Sequence, residues 1–349
     1  DAQESRGLGD VYKRQIYMIL KKFLGGYTEY SSLMRIYSEE MRIMHVTRIN
    51  LKTDKDMKKR EGLINFCLKG EIKYVAIGWS HIYGTREIKD YRDYYDIVKG
   101  SEKRNGKRIN SALNTFLDTK ADDLFWTRDL DGMYWICRAK GEAIPKCDKE
   151  LDIGAVVPVE GYLVGLEVPG QISGSFNRVN GGIKQSLDKE KEIVEYSKYM
   201  FNSRAGRNVY EVKKMEGGLL NNLSSFDLEE LVISYLQIAK GYYVLSNSIA
   251  KRSTTINVEC EFRSRRKEYL QKAVVQVKSS RYSGVLDALS FKQYINDGYI
   301  VYLYAPKVEN AGKMKNCIQI TDEELMTFYK NNKSILPDSI TKWENLIKE

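Results

Sequence analysis

The stretch from Asp227 to Lys278 constrains the fold of this chain more than any other. Leu228, Leu231, Val232, Tyr235, Leu236 and Ala239 recur at the spacing of one helical face, and Asp227 followed by Glu230 three residues on reads as a capping signal. Gly241 ends that helix. Three runs of strand character follow, Tyr242 to Leu245, Ile256 to Phe262 and Ala273 to Val277, rich in Val, Ile, Tyr and Phe and separated by polar segments. Residues two apart in a strand share a face, so Glu259 and Glu261 point one way, and Gln276 and Lys278 do the same while Val277 turns into the core. A carboxylate on one strand beside an amide oxygen and an ammonium on its neighbour is the set a hydrolytic Mg2+ site requires. Hard oxygens hold the ion, and the lysine positions water or stabilises developing charge.

This ordered set resembles the PD-(D/E)xK nuclease superfamily, and within it the Mrr-like restriction branch, where Gln often replaces the acid of the last motif. The resemblance covers roughly the last third of the chain. It implies a second-motif acid at Glu261 or Glu259, an xK motif at Gln276 and Lys278, and a helix acid at Glu229 or Glu230. Glu261 is favoured because Glu-Phe precedes a charged hairpin and then Val-Val-Gln-Val-Lys, and Glu229 because of its place before Glu-Leu-Val. The chain departs from the family in having Glu where Asp is commonest, and Arg252-Ser253-Thr254-Thr255 where a Gly-rich run is usual. The resemblance further implies Mg2+ or Mn2+ held by Glu261, Glu259 and Gln276, with the Val277 carbonyl helping, a DNA substrate and a homodimer.

Upstream, the pattern from Met44 onward is mixed α/β. His45 to Leu51 and Tyr74 to Trp79 read as strands, and Asp56 to Lys69, Tyr91 to Val98 and Arg108 to Leu117 as helices. Asp123 to Asp129 and Met133 to Arg138 form a hairpin around Leu130-Asp131-Gly132, since Asp-Gly supplies the positive φ of a tight turn. Two strands, Ala155 to Glu160 and Leu163 to Glu167, follow, then the turn Val168-Pro169-Gly170. The Ala-Ile-Gly-Trp strand, the helix ending in Phe-Leu and the DLFWTRD-LDGMYWICR hairpin look like an EVE-type member of the PUA-like barrels. That resemblance implies a pocket for a flipped, modified base, walled by Trp79, Tyr83 and Trp126, with Trp135 a further wall and Ser80, His81 or Asp96 reading its edge.

The expected fold class is α/β and α+β. An EVE/PUA-like mixed β-barrel with helices spans 44–182, a linker helix 183–218 and a PD-(D/E)xK α/β nuclease core 219–349. Residues 1–43 are expected to be a non-native or disordered leader, because Asp10 to Gln15, DVYKRQ, resembles the translated end of a transposon used to prepare sequencing libraries. An excess of 56 Lys and Arg over 47 Asp and Glu suits a polyanionic partner, and 25 Tyr and four Trp supply faces for stacking. Five Cys without C-x-x-C spacing and two His argue against a zinc site and for reduced thiols in a cytoplasmic protein. No apolar run approaches the roughly 18 residues needed to span a bilayer. The reading is a prokaryotic defence nuclease, with a non-catalytic nucleic-acid-binding relic as its alternative.

Overall fold

The protein is described here by a computed structural model, which places residues 44–51, 56–84, 87–101, 106–177, 182–249, 260–268 and 270–348. The expected leader and Glu259 lie outside the described residues. The first half supplies β1 (Val46–Ile49), α1 (Met57–Ile64), β2 (Lys73–Ile77), α2 (Tyr91–Ser101), α3 (Gly106–Asp118), β3 (Leu124–Arg128), β4 (Tyr134–Ala139), β5 (Ile144–Asp148), β6 (Ile153–Gly165), α4 (Gly170–Phe176) and β7 (Lys184–Ser186). The second half supplies α5 (Lys191–Ala205), α6 (Gly218–Asn222), α7 (Ser225–Ile238), β8 (Tyr242–Val244), α8 (Ser246–Ile249), β9 (Cys260–Ser264), β10 (Lys272–Val277), β11 (Leu286–Asp287), α9 (Lys292–Asn296), β12 (Tyr299–Tyr304), β13 (Val308–Glu309), β14 (Cys317–Gln319), α10 (Asp322–Asn332) and α11 (Asp338–Thr341).

The chain is mixed α/β, with two main sheets. The first has seven strands in the order β2-β6-β4-β3-β1-β7, with β5 on β6. All its pairs are antiparallel except β1 with β3. The two strands expected around Gly161 are one 13-residue strand, β6, whose first half pairs β2 and whose second half pairs β4. Gly161 does not break it, because a Cβ there would meet Cys137 Sγ at 3.0 Å, so glycine serves close packing within the ladder. This sheet also extends past Gly182, since β7 pairs antiparallel with β1. Its core joins Ile49, Leu63, Val75, Tyr94, Leu113, Phe116, Phe125 and Val157.

The second sheet runs β14-β12-β10-β9-β8, antiparallel from β8 to β10 and parallel from β10 to β14. Helix α7 starts three residues earlier than expected. Its cap is Ser224, whose hydroxyl accepts from the Asp227 backbone N–H, and Asp227 sits in the first turn. Helix α10 opens on a capping box: Thr321 accepts from the Glu324 N–H and Glu324 accepts from that of Thr321. Helices α7 and α10 cover the face bearing Tyr302 and Tyr304. Tyr302 packs edge-on to Tyr242, Tyr304 donates to Asp322 at 2.8 Å, and Tyr235 donates to Glu324 at 3.2 Å. The other face buries Val274, Val301 and Leu303 under Leu286, Ala288 and Phe291.

Between the sheets, α4 packs on both β1 and α7. Gly170 has to be glycine, because a Cβ there would stand 2.1 Å from that of Phe226. Helix α5 packs on β4 and β6, with Trp126 Nε1 donating to Ser197 Oγ at 2.9 Å and Arg204 donating to the Val164 carbonyl at 2.7 Å.

Candidate functional sites

Where β2 ends, the backbone turns sharply. Trp79 adopts φ 68°, a left-handed conformation uncommon for a bulky residue, and Asp152 across from it adopts φ 52°. Two such residues facing each other mark a place where the surrounding structure overrides local preference. The override is visible. Tyr94 donates its hydroxyl to the Gly78 carbonyl, and Asp152 Oδ1 accepts from both the N–H and the hydroxyl of Ser80 at 3.0 Å. Gly154 lies so close that a Cβ would stand 2.3 Å from the Gly78 oxygen. Burial pushes the Tyr94 phenol far up, which keeps it a neutral donor.

These contacts shape a cavity of about 190 Å3 lined by Asn50, Leu63, Ala76, Ile77, Gly78, Trp79, Asp152 and Ile183. Ser80 is buried beside it, and Tyr83 is fixed by donating to the Gly154 carbonyl at 2.6 Å. Of the expected walls Trp79 lines this cavity, Ser80 and Tyr83 are bonded to Asp152 and Gly154 nearby, and Trp126 is not there. Trp126 is fully buried and faces α5 through Ser197, so its place is the joint between sheet and helix. Alternation explains the split: Phe125, its neighbour, belongs to the core inside the sheet, and Trp126 takes the other face. Trp135 is also elsewhere, donating to Asp129 at 2.9 Å, while His81 and Asp96 are exposed. Asn50 and Asp152 were missed by the sequence reading. Asn50 was legible as the polar end of the first strand, but nothing local marks Asp152.

The second candidate lies around the end of β10. The ladder sets Glu261 opposite Val274 and Arg263 opposite Lys272, while Tyr299 stands beside Lys272 on the other side. Glu261, Val274 and Gln276 therefore share a face, with Glu261 diagonal to Gln276 rather than opposite it. The Glu261 carboxylate accepts from Tyr299 at 3.3 Å and lies 3.8 Å from Arg263. Gln276 is 4% exposed, and its Nε2 donates to the Val277 carbonyl at 3.2 Å. Lys278 continues the ladder, its N–H donating to Tyr304 O at 2.7 Å, and its ammonium lies 5.6 Å from the centre of the Tyr282 ring.

Glu229 is half-buried and Glu230 exposed on α7. That helix covers the opposite face of the sheet, so Glu229 and the Glu261–Gln276 face can meet only beyond the end of β10. The two sides do converge there, because Ser280 donates to the carbonyl of Asn221, just before α7, at 2.8 Å. Among the described residues no three of His, Cys, Asp or Glu stand close enough together to hold a metal ion. One carboxylate and one amide oxygen have the hard-donor chemistry of a Mg2+ site but supply only part of a shell, and the second acid of the sequence reading, Glu259, lies outside the described residues.

Asp227 also escaped the sequence reading, which took it for a cap. Its buried carboxylate accepts from the Gly170 N–H at 2.9 Å and from the Ser224 hydroxyl at 2.7 Å, tying α7 to α4. Burial raises its pKa to about 6 against the opposing pull of those donors. Among the described residues no helix is long and apolar enough to cross a membrane. No protein-family description, curated protein or solved structure matches the chain.

Proposed function

We propose that the protein is a metal-dependent DNA endonuclease of a modification-dependent restriction system, hydrolysing phosphodiester bonds. In this reading the first sheet is an EVE/PUA-like base reader, the second a PD-(D/E)xK nuclease core, and the working unit a homodimer on duplex DNA. The observation that carries it is the order of α7, antiparallel β8, β9 and β10 and parallel β12, with Gln276 and Lys278 at the exit of the central strand.

An extruded base is read by stacking and by hydrogen bonds to its edge. Trp79 offers a face, and Asn50 and Asp152 line the same cavity. At the other site, Gln276 and Glu261, with Glu259, are the residues that would hold Mg2+ or Mn2+. When bound, the ion supplies Lewis-acid activation of the phosphate. The chain's own part is positional: the Lys278 ammonium orients the attacking water and meets negative charge developing on the phosphate, and Glu229 orders the site from the helix side.

The deciding measurement is cleavage of a panel of modified and plain DNA with Mg2+. Lys278→Ala should abolish cleavage and leave DNA affinity nearly intact, since that ammonium serves the reaction rather than binding. Glu261→Ala and Glu259→Ala, titrated calorimetrically with Mn2+, identify the acid that binds metal, with Glu268→Ala as the control. No cleavage and no metal binding would sink the enzyme reading. The alternative is then a nucleic-acid-binding protein with a relic site, favoured by one observation: Glu261 is already engaged by Tyr299 and Arg263.

A further inference from the structure

The segment that follows Lys278 is fastened to α5 through the Arg281 side chain, beside the hydrogen bond from Ser280 to the Asn221 carbonyl. Arg281 reaches two carboxylates at once, Glu190 at 2.9 Å and Glu192 at 2.8 Å. These are the N-cap and the first turn of α5, where negative charge is favoured by the helix dipole, so the guanidinium meets a pair of acids held in place by the helix itself. Glu190 is further fixed from α4, accepting from Gln171 Nε2 at 2.8 Å. The loop is short and internally braced, with Tyr282 N–H donating to Ser279 O at 2.9 Å. It also carries the ring over which the Lys278 ammonium sits.

Helix α5 is no passive anchor. It lies along β4 and β6 of the first sheet, where Ser197 takes the Trp126 indole and Arg204 the Val164 carbonyl. Its N-terminus holds Arg281 and its body holds the sheet that carries the Trp79 cavity. A continuous path of contacts therefore runs from that sheet through α5 to the Arg281 ion pairs.

We infer that Arg281 is the positioning residue that fixes the Lys278 loop to α5 and so couples the Trp79 sheet to the end of β10. The consequence for cleavage rests on the nuclease reading; the mechanical coupling does not. Lysine cannot replace it fully, because a single ammonium does not present the planar fork that spans two carboxylates.

The test combines hydrogen exchange with kinetics on the full chain. In Arg281→Ala, and equally in the double variant Glu190→Gln with Glu192→Gln, amides of residues 279–284 should exchange about tenfold faster while those of β12 do not, as expected for a local opening. Arg281→Lys should recover part of the protection. In cleavage of DNA, Arg281→Ala should lower kcat by about tenfold with little change in KM, the pattern of a lost positioning contact. Lys120→Ala, which breaks a surface pair with Glu142 beside the first sheet, serves as the control and should change neither. Unchanged exchange across 279–284 in Arg281→Ala overturns the clamp. Faster exchange with unchanged kcat overturns its role in the reaction. If the unsubstituted protein cuts no DNA, the nuclease reading falls, and the exchange measurement still decides the clamp.

Discussion

The Trp79 cavity and the Glu261–Gln276 face both sit where strands end, yet their polar groups are held in different ways. Around Trp79 the restraints come from backbone and core: Tyr94 on the Gly78 carbonyl, Asp152 on Ser80, Tyr83 on Gly154. They leave an opening of about 190 Å3. Around Gln276 the polar groups hold one another, with Glu261 between Tyr299 and Arg263 and Gln276 bonded to its neighbouring carbonyl. The backbone of the first region is held from outside the cavity lining, by the Tyr94 hydroxyl and by the close approach of Gly154. The second has to exchange existing partners before its acid can serve a cation or its amide a ligand.

The sharpest way to break this contrast is Gly154→Ala. The new methyl would meet the Gly78 oxygen and the Tyr94 hydroxyl at once, at 2.3 and 2.6 Å, and neither is a flexible side-chain end. A loss of about 3 kcal/mol or more is expected in chemical denaturation, at the upper end for overpacking. A loss below about 1 kcal/mol would mean the cavity is not rigidly held.

Next in size is the pH response of Asp227 at the joint between the two regions. Its folded pKa, about 6, is above the unfolded value of 3.8, so the native state binds the extra proton between those values. Stability is therefore favoured at low pH and falls as pH rises from about 4 to 6, by up to about 3 kcal/mol, then stays level. Asp227→Asn should flatten that part of the stability profile while keeping an acceptor for Gly170. An unchanged slope would show that other groups set it.

Trp79→Ala should reduce the preference for a modified over a plain base by about 1 to 3 kcal/mol, the worth of one stacked base, with nonspecific affinity retained. Equal binding of modified and plain DNA by the unsubstituted protein would remove the reader from the comparison. The smallest effect is expected from Tyr299→Phe. It deletes one hydroxyl donor to Glu261 and should change stability by about 1 kcal/mol or less. Mn2+ affinity should rise modestly as the carboxylate is released; no rise would show that Tyr299 does not restrain it.

Much of the second sheet was legible because its strands announce themselves by β-branched and aromatic alternation, and the run from Ala273 to Val277 is β10 but for one residue. Asp227 misled, since Ser and Asp three apart offer alternative caps: Ser224 caps the helix while the Asp227 carboxylate is taken by the Gly170 N–H of α4. Gly161 misled as well: glycine in a strand reads as an ending, but here it makes room for Cys137. Of the residues expected to wall a pocket, Trp79 lines the cavity, with Ser80 next to it in sequence. Asn50 and Asp152 reach the same cavity from distant segments, and Trp126 was assigned to it although its strand face points to α5.

Local spacing in this sequence determined the elements and the faces of individual strands, because side-chain period and turn chemistry are properties of a few consecutive residues. Only the tertiary structure decided which faces meet. The diagonal placing of Glu261 to Gln276, the separation of Glu229 by the thickness of a sheet, and the meeting of Arg281 with α5 all depend on ladder register and on helices packed from far along the chain. Those are fixed by burial of the whole core, a quantity no short stretch contains.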